Sequence, residues 1–298
     1  MNLIGLDEVA IFSDQHDIYP LIDPKSSFET QAYKDKVVIV TGGSTGIGAT
    51  TALFYAKAGA KVIINARRVE NLETHKATIE KEAPGAQILL VGGDVSDPEV
   101  GKRIVKTAVE TWKRLDIVVA NSAIAAGPVD KLADRDAFAW WHTQEVNVRG
   151  TLNIIHPAIP ELLKTKGQIV VTTSAAAHLR LPLMGDYNIS KHTLNRFTEI
   201  LALDYPEIPI YTVHPGAIPT PGANEFQEKT GTKGIIPMPD TVELPAATFL
   251  WLTAGNAKFL SGRYVQANWD LSEVLSKKDE IVRDNLLVTK LAGPKKSA

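Results

Sequence analysis

The stretch KVVIVTGGSTGIGATTALFYA (36–56) decides the fold. Its opening KVVIV (36–40) is apolar without a period of two, as in a strand covered on both faces. Thr41-Gly42-Gly43-Ser44-Thr45-Gly46-Ile47-Gly48 follows, and a helical pattern near 47–58 begins at once. A turn that brings backbone close to a pyrophosphate needs residues without Cβ, and a helix N-terminus adds free N–H groups and partial positive charge. Gly42, Gly46 and Gly48 meet that need. A plain glycine-rich turn is the bland alternative, but the strand before, the helix after and the place in the first βαβ unit favour a dinucleotide site.

Outward from this segment the alternation continues. KVIIN (61–65), QILLV (87–91), LDIVVA (115–120), QIVVT (168–172), IYTV (210–213) and RYVQA (263–267) read as strands, with helices near 70–82, 97–113 and 186–205. Strands alternating with helices argue for a parallel sheet with helices on both faces. The expected architecture is therefore α/β, a single doubly wound Rossmann domain on an about seven-stranded parallel sheet over 36–270. A terminal helix is expected near 272–292, within a helical tail at 271–298.

Composition limits the partners. The 298 residues carry 32 Lys and Arg against 34 Asp and Glu, a net charge of -2, so no basic field exists to hold nucleic acid or an anionic membrane. The chain has no Cys, which excludes disulfides, thiolate nucleophiles and Cys-ligated zinc. Seven His tempt a metal reading, yet no HxxxH or HExxH spacing occurs and no metal is expected. The start MNLIGLDEVAIFSDQHD lacks a basic signal-peptide region, no long apolar run follows, and the final KKSA is no known address, so a soluble cytoplasmic protein is expected. Residues 1–30 hold six acids and one base; with their apolar Ile11, Phe12, Ile18, Leu21, Ile22 and Phe28, the arm 1–35 reads as an acidic strap across the domain.

The chemistry lies further on. Tyr187 and Lys191, four apart in a helical stretch, share one helix face. That spacing alone is common. Ser174, however, stands just past the QIVVT strand, where open α/β sheets gather ligands, and Asn147 in HTQEVNVRG is placed to serve a proton path through water. The Asn188-Ile189-Ser190 sequon sits inside the Tyr187–Lys191 helix and reads as accidental. Trp140 and Trp141, with Phe138, read as core or subunit interface. His214 reads as packing beside the cofactor, while His178 to Met184 reads as a wall of the substrate pocket.

In order and spacing, TGGSTGIG (41–48), Asp94-Val95, Asn121-Ser122-Ala123, Asn147, Ser174, Tyr187, Lys191 and Pro215-Gly216-Ala217-Ile218-Pro219-Thr220 resemble the short-chain dehydrogenase/reductase family in its classical form. The resemblance covers about 35–270. It implies a catalytic tetrad of Asn147, Ser174, Tyr187 and Lys191. It also implies cofactor contacts from Gly42, Ser44, Thr45, Gly46, Ile47, Gly48, Asp94, Val95, Asn121, Ala123, Pro215 and Gly216, with Ile218 and Thr220 at the nicotinamide carboxamide. The family usually has Asn-Asn-Ala-Gly after the fourth strand, and here three of those four positions differ. The implied reaction interconverts a ketone or aldehyde and an alcohol, Tyr187 exchanging the proton, Ser174 holding the oxygen, and Lys191 tuning Tyr187 and binding the ribose. The ammonium and the positive ring of an oxidised nicotinamide are together expected to bring the phenol closer to working range. Epimerisation or dehydration on the same scaffold, and a non-enzymatic nucleotide-binding scaffold, are the competing readings.

Cofactor choice is read at the end of the second strand, where an acid would accept from the ribose hydroxyls and repel a 2′-phosphate. Here Asn65-Ala66-Arg67-Arg68 carries no acid, and Arg67 is placed to grip the phosphate. NADP(H) is expected over NAD(H), by about tenfold to a thousandfold. The segment 217–240 reads as a mobile lid interrupted by Gly and Pro. Its Phe226, Ile235, Ile236 and Met238, with Leu181, Leu183 and Met184, suggest an apolar substrate of moderate size. Family resemblance further implies a homodimer or homotetramer paired through helices at about 136–164 and 186–205.

Overall fold

The computed structural model describes residues 4–125, 130–235, 237–291 and 293. Ile236 and the terminal KKSA therefore lie outside the described residues. Seven strands, β1 (Val37–Thr41), β2 (Lys61–Ala66), β3 (Ile88–Gly92), β4 (Ile117–Ala120), β5 (Gln168–Thr172), β6 (Ile210–His214) and β7 (Tyr264–Gln266), form one parallel sheet in the order β3-β2-β1-β4-β5-β6-β7. A short arm helix, α1 (Lys25–Glu29), precedes β1. Helices α2 (Gly46–Lys57), α3 (Val69–Glu82) and α4 (Pro98–Trp112) follow the first three strands.

Beyond β4, α5 (Ala137–Gln144) runs through a π-helical turn (Glu145–Arg149) into α6 (Gly150–Thr165); α7 (Gly185–Asp204) links β5 to β6. After β6 come α8 (Pro221–Thr230) and α9 (Glu243–Trp251), and after β7 come α10 (Leu271–Ser276) and α11 (Lys278–Arg283).

Alternate residues of the same strand feed two cores. Val38 and Val40 of β1 pack toward α2 and α9 with Ala52, Tyr55 and Phe249, whereas Val37 and Ile39 pack toward α4 and α6 with Ile104, Ile154 and Leu162. Apolar side chains on both faces are why the strands lack a period of two. Because β1 is flanked by β2 on one side and β4 on the other, the connection reverses there, and a crevice opens beyond the C-terminal ends of β1 and β4.

Two expectations need correction. Part of the 217–240 segment expected as a Gly/Pro-interrupted lid is the ten-residue helix α8: the Thr220 hydroxyl accepts from Ala223 N–H at 3.2 Å, Pro221 begins the helix, and Gly231 at φ 67° ends it. The tail is two short helices rather than one to 292: winding breaks at Lys277, at φ -98° and ψ 10°, and past Arg283 Asn285 in the left-handed region at φ 47° keeps it from resuming. The chain then turns along the sheet edge, where Tyr264 N–H donates to Leu287 O at 2.8 Å.

The acidic arm crosses the body. Phe12 meets Trp269 edge-on at 5.1 Å, Phe28 meets Phe54 at 5.3 Å, and Ile22 is buried, although Ile11 is exposed. Trp269 Nε1 and Gln266 Nε2 both donate to Val9 O at 2.9 Å.

Candidate active site

The residues singled out in the sequence gather past the C-terminal ends of six strands: the glycine loop after β1, Arg67 after β2, Asp94 and Val95 after β3, Asn121 and Ala123 after β4, Ser174 after β5, and Pro215, Gly216, Ile218 and Thr220 after β6. Tyr187 rises from the first turn of α7 and Lys191 from the second.

The glycine loop is shaped for an anion. Gly42 and Gly46 lie at φ 65° and 55°, and a Cβ on Gly48 would stand 2.2 Å from Gly42 O. No side chain caps the start of α2, leaving its first N–H groups turned outward. Thr41 Oγ1 accepts from the N–H groups of Asn121 and Ser122 at 3.0 and 3.1 Å, fixing the β1 and β4 ends side by side. A Cβ on Gly46 would meet the Thr220 methyl at 3.0 Å, so the start of α8 closes over the same loop. These features fit a dinucleotide pyrophosphate.

The catalytic candidates converge as well. Lys191 is 2% exposed; its ammonium donates to Thr172 O at 2.8 Å and lies 5.7 Å from the centre of the Tyr187 ring. An ammonium has three protons to donate, so this bond leaves capacity for ribose hydroxyls. Burial pulls the Lys191 ammonium down to about 7. Tyr187 keeps part of its surface open to the crevice, yet the protein around its hydroxyl pushes the phenol up, with the Ser174 hydrogen bond acting the other way. In the protein without its cofactor, desolvation therefore outweighs the Ser174 hydrogen bond and holds the phenol protonated. His214, held down to about 3 by burial and then by Lys191, is neutral beside them.

Asn147 takes a narrower place than a water path alone. It sits at the centre of the π-helical turn, fully buried; π-turns inside α-helices are frequent at functional sites. Its side chain accepts from Ile124 N–H at 2.8 Å and donates to Ile124 O at 2.9 Å and Ser190 Oγ at 3.0 Å, while its carbonyl accepts from Thr151 Oγ1 at 2.8 Å. It staples the segment after β4 to α7.

Sequence reasoning missed Arg135. Its guanidinium donates twice to Asp186 at 2.7 Å, with both side chains nearly buried, and Thr143 Oγ1 donates to the same carboxylate at 2.9 Å. Gln144 donates to Asp186 O at 2.7 Å. Four hydrogen bonds thus fix the residue next to Tyr187, from partners some forty to fifty positions away that no local pattern could connect.

Arg67 is exposed past β2, close enough to Asp94 for its charge to help lower that carboxylate, whereas Glu225 is lowered chiefly by its hydrogen bond to Lys229 at 2.6 Å. For Asp94 burial acts upward, and the Ser96 N–H and hydroxyl together with Arg67 overcome it. Among the described residues no group of three acidic or His side chains could hold a metal, and no helix is long and apolar enough to cross a membrane. Trp140 and Trp141 stack at 6.3 Å on α5, with Trp141 and Phe138 exposed rather than in the core.

Fold and site together define a nicotinamide-dinucleotide-dependent oxidoreductase built on a doubly wound sheet. Residues 36–231 match the short chain dehydrogenase family. Short chain dehydrogenase citE of Monascus ruber is 34% identical over 291 residues, covering 94% of this chain and 96% of that protein. Short chain dehydrogenase pigC of the same organism is 31% identical over 289 residues, covering 92% and 91%. The chain belongs to the short chain dehydrogenase family. Among solved structures, levodione reductase shares the fold with a TM-score of 0.75 at 24% identity, covering 81% of this chain and 99% of that one. A short chain dehydrogenase from Burkholderia cenocepacia in complex with NADP aligns with a TM-score of 0.70 at 28% identity, covering 79% and 97%.

Proposed function

We propose that the chain is an NADP(H)-dependent reductase or dehydrogenase interconverting a ketone or aldehyde and an alcohol on a moderately sized apolar substrate. The observation that carries this reading is the convergence of Ser174, Tyr187 and Lys191 on one crevice beside an uncapped, glycine-lined helix N-terminus. When bound, the nicotinamide supplies or accepts the hydride. Gly42, Ser44, Thr45, Gly46, Ile47 and Gly48 hold the pyrophosphate, and Arg67 meets the 2′-phosphate. Asp94, Val95, Asn121 and Ala123 line the adenosine side; Pro215, Gly216, Ile218 and Thr220 line the nicotinamide side. Ser174 donates to the reacting oxygen. Tyr187 passes its phenolic proton to that oxygen in reduction and takes it back in oxidation. Lys191 binds the ribose, and ribose hydroxyls around the ammonium favour its charged form, which in turn eases phenolate formation. Asn147 holds the segment after β4 against α7.

The exposed Leu183 and Ile235 on the segments flanking the crevice support an apolar substrate. Ile189, Ile200 and Leu203 stand out on α7, and Leu152 and Leu163 on α6; these stripes support a two-fold pair between copies. Nicotinamide absorbance with a panel of apolar ketones and aldehydes tests the proposal, together with Tyr187→Phe. That variant is expected to bind NADPH as before and to lose at least nine-tenths of kcat, since general acid catalysis contributes about 10²–10⁴-fold. No turnover on any carbonyl, or a fully active Tyr187→Phe, sinks the reading.

A further inference from the structure

The turn after β6 is held from below by a residue of the N-terminal arm. Gly216 lies at φ 104°, and a Cβ there would stand 2.6 Å from Asp240 Oδ2. That oxygen accepts from Ala217 N–H at 2.5 Å, and Asp240 N–H donates to Ala217 O at 3.1 Å. The Asp240 carboxylate, 3% exposed, receives Nδ1 of His16 on its other oxygen at 2.6 Å. The neighbouring positions repeat the attachment: Thr241 N–H donates to His16 O at 2.9 Å, and Thr241 Oγ1 to Asp17 Oδ1 at 2.8 Å. On its opposite side the same piece of arm is tied beyond β7, by Gln15 N–H to Asn268 O at 2.7 Å and Asp270 N–H to Ser13 O at 2.8 Å.

We infer that His16 is a positioning residue of the cofactor site: by holding Asp240 it sets the Pro215–Ile218 turn in the conformation that receives the nicotinamide end of the dinucleotide. A buried carboxylate with two acceptor oxygens needs a donor on each. Without His16 the outer oxygen loses its side-chain donor, water competes for it, and the carboxylate is free to rotate away from Ala217. The arm is thereby part of the site rather than a cover on the domain. This inference rests on the proposed reading of the Pro215–Thr220 segment as cofactor-binding.

The test uses the full chain with His16→Ala and His16→Gln, Gln restoring a neutral N–H donor. Dissociation constants for NADPH come from fluorescence titration without substrate, KM for NADPH and kcat from turnover, and folding from thermal melts. His16→Ala is expected to weaken NADPH about tenfold in both the dissociation constant and KM, with a smaller effect on kcat, and His16→Gln to regain most of the loss. An unchanged dissociation constant in His16→Ala, or an equal loss in His16→Gln, overturns the inference while leaving the assignment of the crevice intact. If the unmodified protein binds neither NADPH nor NADH, the reading of the turn falls and the inference with it.

Discussion

Replacing Ala66 by Asp and Arg67 by Ala together should reverse the proposed preference for NADP(H) in favour of NAD(H). In the unmodified chain Ala66 ends β2 and Arg67 follows it, exposed, so on the proposed reading its guanidinium would meet a 2′-phosphate. A hydrogen bond to a charged partner is worth about 1.5–3 kcal/mol, or roughly tenfold to 150-fold in affinity. The structure pulls the expectation toward the lower end, because Asp94 already shares the Arg67 field and a phosphate must compete with it. We therefore expect kcat/KM to favour NADPH by about tenfold to a hundredfold, consistent with one guanidinium contact discounted for solvent and a competing carboxylate. Ala66→Asp with Arg67→Ala should reverse it, the new carboxylate accepting from the ribose hydroxyls and repelling the phosphate. The assay is initial-rate kinetics with both reduced cofactors at fixed ionic strength, because exposed charges are screened by salt. Equal or better use of NADH by the unmodified protein would refute the reasoning, as would a double variant with an unchanged ratio.

Acid should destabilise the fold through its buried histidines. His178 is held down to about 4, chiefly by burial and then by His192 and Arg180 against Glu8. The unfolded chain protonates this ring near 6.5 and the folded chain does not, so stability falls as pH drops from 6.5 toward 4, by about 3 kcal/mol for this ring. Urea midpoints against pH, with a shallower slope in His178→Gln, check the sign. Asn147→Ala leaves both polar groups of Ile124 without their side-chain partner and should cost about 2–4 kcal/mol in denaturant unfolding. If copies pair through α7 as proposed, Leu203→Glu with Ile200→Glu should give monomers by light scattering; both residues are exposed on α7, so the monomer should still fold.

Everything that depends on neighbours in the chain could be read from the chain, and the misses divide by how far apart the partners lie. The strand runs, the glycine loop and the Tyr187–Lys191 spacing each hold their signal within a few residues, and placing them at the C-terminal strand ends requires only the topology of a doubly wound sheet. Helix α8 is equally local: a Thr cap, Pro at the first position and Gly at the end are standard helix boundaries, and the same Gly and Pro read equally well as breaks in a loop, so composition alone does not separate the two. The phenol is a different case, because its direction follows from how much protein surrounds one oxygen, and that depends on the packing of α7 against the β5 end rather than on which residue stands four positions away. Arg135 with Asp186, and His16 with Asp240, lie 51 and 224 positions apart. In both pairs a buried carboxylate beside the crevice takes its donor from an element that carries no recognisable motif. A carboxylate that the fold has buried must be matched wherever the fold supplies a cation or an N–H, so the partner's place in the sequence is set by packing alone. Motifs therefore mark the groups that face substrate and cofactor, while the groups that hold those in register are found only once the chain is folded.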